Sequence, residues 1–211
     1  MTYELRSKAA ALGIAESVNP LRHADTLESL RGIEGEAATR YFSVLDELIL
    51  QSKEEFFFRT RNRRPPTDNM NSLLSFAYSL LASDMAAAIR GVGLDPYVGF
   101  LHRDRPGRRS FALDLIEELR TVFADRFVLS LINKRQVVSS DFQTQDNGAV
   151  RLTDDARRTF LNAWQTRKQE EIRHPFLGEK VSWGLVPHIQ ALLMARFLRG
   201  DLDEYPPFLW K

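Results

Sequence analysis

The sequence predicts an all-α fold: a multi-helix lobe with one small β-hairpin near residues 141–152. Three observations carry this. Apolar residues recur at steps of three and four along nearly every long segment, the spacing of one helical face. Those segments open on Thr, Asp or Ser and close on Gly or before Pro, the residues that satisfy or tolerate free helix ends. Alternation of the kind that marks paired strands occurs around a single Asn-Gly pair. With 211 residues and 44% hydrophobic content, the chain can bury a core of its own.

Met1 to Asp25, with Ala9-Ala10-Ala11 and an Asn19-Pro20 break, reads as a linker helix and connection. Thr26 caps a helix through Leu27, Leu30, Ile33, Ala37, Tyr41, Leu45 and Leu48, softened by Gly32 and Gly35. Pro65-Pro66 breaks the chain, Thr67-Asp68 caps a restart, and Leu73, Leu74, Phe76, Ala77, Leu80, Leu81, Met85, Ala88 and Ile89 form a wide apolar surface up to Gly91. That width predicts a central helix. Gly93, Pro96, Gly99, Pro106 and Gly107 then make a loop or short irregular helix that delivers His102 to a helix capped by Ser110 and running to about Asn133. The hairpin pairs Asp141–Gln145 with Ala149–Leu152 across Asp146-Asn147-Gly148. Thr153 caps a charged helix to about Arg173, ended by His174-Pro175, and a last helix spans about Val181 to Arg199, stopped by Gly200. The tail Tyr205-Pro206-Pro207-Phe208-Leu209-Trp210 is expected to dock its aromatics on the core.

Cysteine is absent, which excludes disulfides, thiolate zinc sites and a cysteine nucleophile together. Any metal must use oxygen and nitrogen donors. No run of eighteen or more uncharged apolar residues occurs and the first residues lack the apolar stretch of a secretory signal, so a cytoplasmic protein with no membrane partner is expected. The net charge of +1 is no argument for nucleic acid, but its distribution is. Arg59, Arg61, Arg63 and Arg64 crowd one segment, and Arg103, Arg105, Arg108 and Arg109 another. Guanidinium groups suit bidentate phosphate contacts, so both clusters are candidate DNA-binding segments; the plainer alternative is two solvated loops.

Glu34 lies in the helical stripe Leu30, Glu34, Ala38, Tyr41, Leu45, where a buried carboxylate would have to find a cation, a donor, a metal or a proton. Asp114 and Glu117 share a face at i and i+3, and His102 ends the apolar run Val98-Gly99-Phe100-Leu101 just before their helix. Carboxylates and an imidazole from distant segments would make a hard, oxygen-rich site for a divalent metal. Each has a plainer alternative: Glu34 paired with Arg31 or Arg40, His102 as a satisfied loop histidine, Asp114 and Glu117 bridged to Arg120 or Arg109. Glu36 points roughly 200° away from Glu34 around the helix and is assigned to solvent. His23, His174 and His188 are left structural.

Four motifs in order resemble one family. Leu30-Arg31-Gly32-Ile33-Glu34-Gly35-Glu36-Ala37-Ala38-Thr39-Arg40-Tyr41-Phe42 is similar to the first catalytic helix of the CRISPR adaptation integrase and endonuclease family often called Cas-one. Asn71 to Leu81 resembles its central helix, Gly99-Phe100-Leu101-His102 with Ser110 to Glu117 its His and acid motifs, and Tyr205 to Lys211 its ending. The resemblance implies that residues 26–211 are a metal-dependent catalytic domain acting on DNA. Glu34, His102 and Glu117 would be its ligands for Mg2+ or Mn2+, and Asp114 an auxiliary acid. It implies phosphoryl transfer that joins DNA fragments into a CRISPR array during spacer acquisition. DNA and a second small CRISPR adaptation protein are the implied partners, and the full-length family forms a homodimer. Members carry a β-rich N-terminal domain that Met1 to Asp25 cannot form, so the chain is expected to be the catalytic lobe without it. Two competing readings are a non-catalytic helical DNA-binding or assembly module and a helical phosphohydrolase acting on nucleotides.

Overall fold

Helix dominates the described residues, as the apolar spacing predicts. The computed structural model describes residues 3–103 and 105–210, the side chains of residues 3–5 excepted. Two units divide the chain, residues 1–72 with 131–151 and residues 73–130 with 152–211.

In the first unit, α1 (Tyr3–Glu16) packs on α3 (Leu27–Leu45), with the short α2 (Val18–Arg22) between them in sequence. Gly13 of α1 is buried because the Arg40 guanidinium lies where a Cβ would stand. The break after α1 falls at Ser17, not at Asn19-Pro20 as expected. Pro20 sits instead in the first turn of α2, where a missing N–H forfeits no intrahelical bond. Thr26 caps α3 as expected, its hydroxyl accepting from the Ser29 N–H at 3.1 Å, and a 3-10 turn continues through Asp46–Leu48. Leu45, Ile49, Phe56 and Phe58 form the core, with Phe42 stacked on Phe58 at 5.3 Å and Phe56 edge-on to Phe142 at 5.8 Å. Asn133 ties in the far end of the segment by accepting from Leu50 N–H at 2.8 Å and donating to Leu48 C=O at 3.0 Å. The expected hairpin is present as β1 (Phe142–Thr144) and β2 (Val150–Leu152). Gly148 at φ +77 makes its turn, a conformation that costs glycine little.

The second unit is built on α4 (Asn69–Gly91), whose first turn lies in the preceding unit, and on α5 (Ser110–Leu119). A π-helical turn, Arg120–Asp125, leads from α5 into α6 (Arg126–Asn133), whose residues from Leu131 on fall in the first unit. Next come α7 (Asp154–Gln169) and α8 (Val186–Leu198). An aromatic cluster fills this unit: Phe76 on Phe160 at 4.9 Å, Phe123 on Trp164 at 4.8 Å, and Phe127 edge-on to both Phe160 and Trp164 at 5.1 Å. Among the described residues α4 is the helix long and apolar enough, by length and composition, to cross a membrane. That apolarity serves the interior: Leu73, Leu74, Ala77, Leu81, Met85, Ala86 and Ile89 are fully or almost fully buried.

Two expectations fail in the last quarter of the chain. The α7 helix ends at Gln169 rather than near Arg173, and the final helix starts at Val186 rather than Val181. The residues in question form a second antiparallel pair, β3 (Glu171–Arg173) and β4 (Lys180–Ser182), with Ile172 opposite Val181. Three-residue strands rich in charge have almost no period to read. The tail docks as expected: Phe208 is buried and Trp210 stacks on Trp183 at 5.2 Å. Its anchor is Glu118 of α5, which accepts from Tyr205 O–H at 2.6 Å, Phe208 N–H at 2.6 Å and Gln190 Nε2 at 2.8 Å.

Candidate functional site

The loop before α5 is fastened to that helix by the helix's own free N-terminal groups. Phe111 and Ala112 donate their N–H groups to the Pro96 carbonyl at 3.1 and 3.3 Å, so the backbone of the loop caps the helix. Ser110 therefore does not cap, contrary to expectation. It is the first helical residue, fully buried, and its hydroxyl donates to the Arg103 carbonyl at 3.3 Å.

Asp114, one turn further on, collects the rest of the loop. One carboxylate oxygen accepts from the N–H groups of Phe100 and Leu101 at 2.6 and 3.1 Å. The other accepts from the His102 N–H at 2.9 Å and lies 2.6 Å from His102 Nδ1. Burial by itself raises the Asp114 pKa, but the bonds from His102 and the three backbone N–H groups outweigh it and bring the carboxyl below its ordinary range. Four donors fill its acceptor sites, so Asp114 is a holder of His102 rather than a free ligand. Nδ1 donates to the carboxylate, and in the neutral imidazole that bond leaves the lone pair on Nε2. Metal-binding histidines are oriented in this way. The approach needs Gly99, since a Cβ there would stand 2.7 Å from Ser110 Cβ and 2.9 Å from Asp114 Oδ2.

Glu117 follows on the next turn and is committed to a cation already. Arg120 Nη1 lies 2.6 Å from both of its carboxylate oxygens, and the guanidinium sits over the Tyr78 ring at 4.6 Å from its centroid. Tyr78 donates its hydroxyl to the buried Asp125 at 2.5 Å. Burial first, and then the Asp125 charge, push the phenol far above its ordinary value. The two ends of the π turn thus grip one tyrosine, by face and by hydroxyl. Sequence reading missed both Tyr78 and Asp125. The signal was there: a tyrosine inside an otherwise apolar stripe and an aspartate directly after the apolar run Val122-Phe123-Ala124.

Glu34 does not carry the burial cost inferred from its stripe. Leu30, Ala38 and Tyr41 on that face are half-buried and Leu45 is buried, yet Glu34 itself is exposed. Solvent reaches the face at that turn, so no partner is needed to offset desolvation. Glu36 is exposed as expected and paired with Arg40 at 2.6 Å. Among the described residues, no three His, Asp or Glu side chains stand together as a metal cluster.

The arginines differ from one another. Arg59, Arg63, Arg64, Arg103 and Arg105 are exposed, and Arg59 stacks on Phe57 at 5.0 Å. Arg108 and Arg109 are half-buried, with Arg109 Nη1 3.4 Å from Ser83 Oγ. Arg61 is turned inward, donating to the Asn62 carbonyl at 2.5 Å and to the fully buried Asn71 Oδ1 at 2.7 Å. Asn71 also binds Thr60 C=O and Asp68, which makes Arg61 part of a latch under the loop.

Residues 3–166 match the family model described as CRISPR associated protein Cas1. The chain belongs to the Cas1 family. It is 56% identical over 211 residues to a CRISPR-associated endonuclease Cas1 of Rhodospirillum rubrum, covering 96% of this chain and 61% of that protein. It is 49% identical over 204 residues to one of Leptospira interrogans, covering 97% and 80%. Among solved structures, a casposase bound to integration product superposes with a TM-score of 0.82 at 26% identity, covering 97% of this chain and 61% of that one. A Cas1 protein from Thermotoga maritima gives 0.79 at 27%, covering 94% and 59%. The chain spans about three fifths of the length of most of the first curated Cas1 relatives it matches.

Proposed function

We propose that this chain is the helical catalytic lobe of a divalent-metal-dependent DNA endonuclease and integrase that joins DNA fragments into a CRISPR array. The observation that carries the reading is the His102–Asp114 pair, an imidazole whose outer nitrogen is prepared for a ligand, in a chain of the Cas1 family. Divalent Mn2+ or Mg2+ suits the donor set, one imidazole with carboxylates and no thiolate. His102, Glu117 and Glu34 would hold it. When bound, such an ion polarises a phosphate and lowers the pKa of an attacking hydroxyl or water.

The chain's own residues do the positioning. Asp114 keeps His102 in one tautomer and one orientation, so that little ordering is left for the reaction. Exposed Arg59, Arg63, Arg64, Arg103 and Arg105 offer phosphate contacts that hold DNA without reading its sequence, which fits an enzyme that must accept many inserts. DNA, a second small CRISPR adaptation protein and a second copy of the full-length protein are the partners this reading requires, in the cytoplasm.

The test is substitution under Mn2+. Glu34→Ala, His102→Ala and Glu117→Ala should each lower cleavage of branched or linear DNA by on the order of 100-fold or more with helical content retained, and Glu36→Ala should be mild. Near wild-type cleavage by two of the three would remove the metal assignment. The pairing of Glu117 with Arg120 also suits a non-catalytic DNA-binding module, and cleavage unaffected by chelator would favour that reading.

A further inference from the structure

Arg120 stands where a metal reading of Glu117 has no use for it. Both Glu117 oxygens lie 2.6 Å from one guanidinium nitrogen, so a cation that chelates this carboxylate between its two oxygens competes with Arg120 for the same place. The pair is not sealed in: the Arg120 and Glu117 side chains keep 22% and 31% of their accessible surface. Nor would the guanidinium be lost on release, because it sits over the ring of Tyr78, whose hydroxyl is fixed to Asp125 at the other end of the π turn. A held arginine with its carboxylate withdrawn is a phosphate-binding group.

We propose that Arg120 couples cation loading to DNA binding by exchanging partners. Without DNA it occupies Glu117 and weakens the site for a divalent cation. With DNA it turns to a backbone phosphate and leaves Glu117 to the cation. The coupling is reciprocal, so the cation must strengthen DNA binding by the factor by which DNA strengthens cation binding. The π turn serves this by presenting Arg120 to Glu117 three residues back along the helix while Asp125 steadies the ring beneath it. This inference rests on the reading of Glu117 as a metal ligand.

Mn2+ affinity of the full chain measured by calorimetry and by loss of the free-ion EPR signal, with and without a short DNA duplex, tests it. For wild type, DNA should tighten Mn2+ binding about 10-fold, within the usual range of coupling between sites. Arg120→Gln should bind Mn2+ about 10-fold more tightly than wild type without DNA and show no further gain with it. Arg120→Lys, which keeps the charge but not the guanidinium over Tyr78, should fall between and guards against a glutamine variant that does not fold. Unchanged or weaker Mn2+ binding in folded Arg120→Gln, or a DNA effect that survives the substitution, overturns the proposal alone. Wild type that binds no Mn2+, or binding that Glu117→Ala and His102→Ala leave intact, overturns the metal reading and this inference with it.

Discussion

Asp114 gives up its own availability to make His102 available. Its filled acceptor sites turn the Gly99–His102 stretch from a loop into a fixed platform, and the whole arrangement depends on one hydrogen atom at Gly99. Gly99→Ala places a methyl group against the Ser110 backbone, which cannot yield, so the loop must lift and His102 must lose its partner. Mn2+-dependent cleavage should fall by about 10- to 100-fold, the usual cost of losing an outer-shell partner, while circular dichroism reports the same helicity. Asp114→Asn is the complementary change. It keeps the shape but lacks the charge and one acceptor, and a loss in the same range is expected; activity within twofold of wild type in both variants would show that His102 is held by something else.

The arginine loop separates structural from functional charge within one short element. Arg61 and Asn71 satisfy each other under the loop, whereas Arg59, Arg63 and Arg64 reach into solvent. Arg61→Ala leaves the buried Asn71 amide short of a donor and should destabilise the fold by about 1–3 kcal/mol in urea melts. Arg63→Ala with Arg64→Ala should leave the melt unchanged. That pair should instead flatten the plot of log DNA affinity against log salt by about 0.9 for each phosphate no longer neutralised. A salt slope that responds to Arg61 and not to Arg63 or Arg64 would reverse the assignment. The cap at Thr26 and the central helix could be read directly from sequence, since local hydrogen bonding and a wide apolar face set them. The π turn and the β3–β4 pair could not, because neither has a local pattern that differs from an ordinary helix or a charged turn.

At the scale of the whole molecule, the proposed function makes a demand on copy number: two-ended integration needs two active sites at a fixed separation, which one chain does not supply. With the second adaptation protein, Mn2+ and a duplex with 3′-hydroxyl ends, full-site products on a supercoiled target should therefore rise more steeply with protein concentration than half-site products; an equal dependence would mean that one copy performs both joinings. His174, whose ring meets Phe208 of the tail edge-on at 5.4 Å, adds a pH dependence to the second unit. Burial lowers the pKa of His174 from its ordinary 6.5, with the Gln190 side chain offsetting part of the effect. The unfolded chain therefore takes up a proton near pH 6.5 that the folded chain refuses until lower pH. Stability from this group is present in full above about 6.5 and is lost as pH falls toward the lowered folded value. The melting temperature should drop between pH 7.5 and 5 by more in wild type than in His174→Gln; equal drops would place the titration elsewhere.

Residue order alone was enough for the helical class, the first hairpin and, through four ordered motifs, the family. Each of these depends on residue type and near-neighbour spacing, which survive without a fold. What the candidate site residues are free to do was settled by tertiary packing. Asp114 and Glu117 share a helix face and a charge, yet one is saturated by loop N–H groups and the other is paired with Arg120. Glu34 lies in an apolar stripe, yet it is exposed. Periodicity specifies the direction in which a side chain points. Whether another segment arrives to bury it, bond to it or compete for it depends on segments far apart in the chain, which no local spacing encodes.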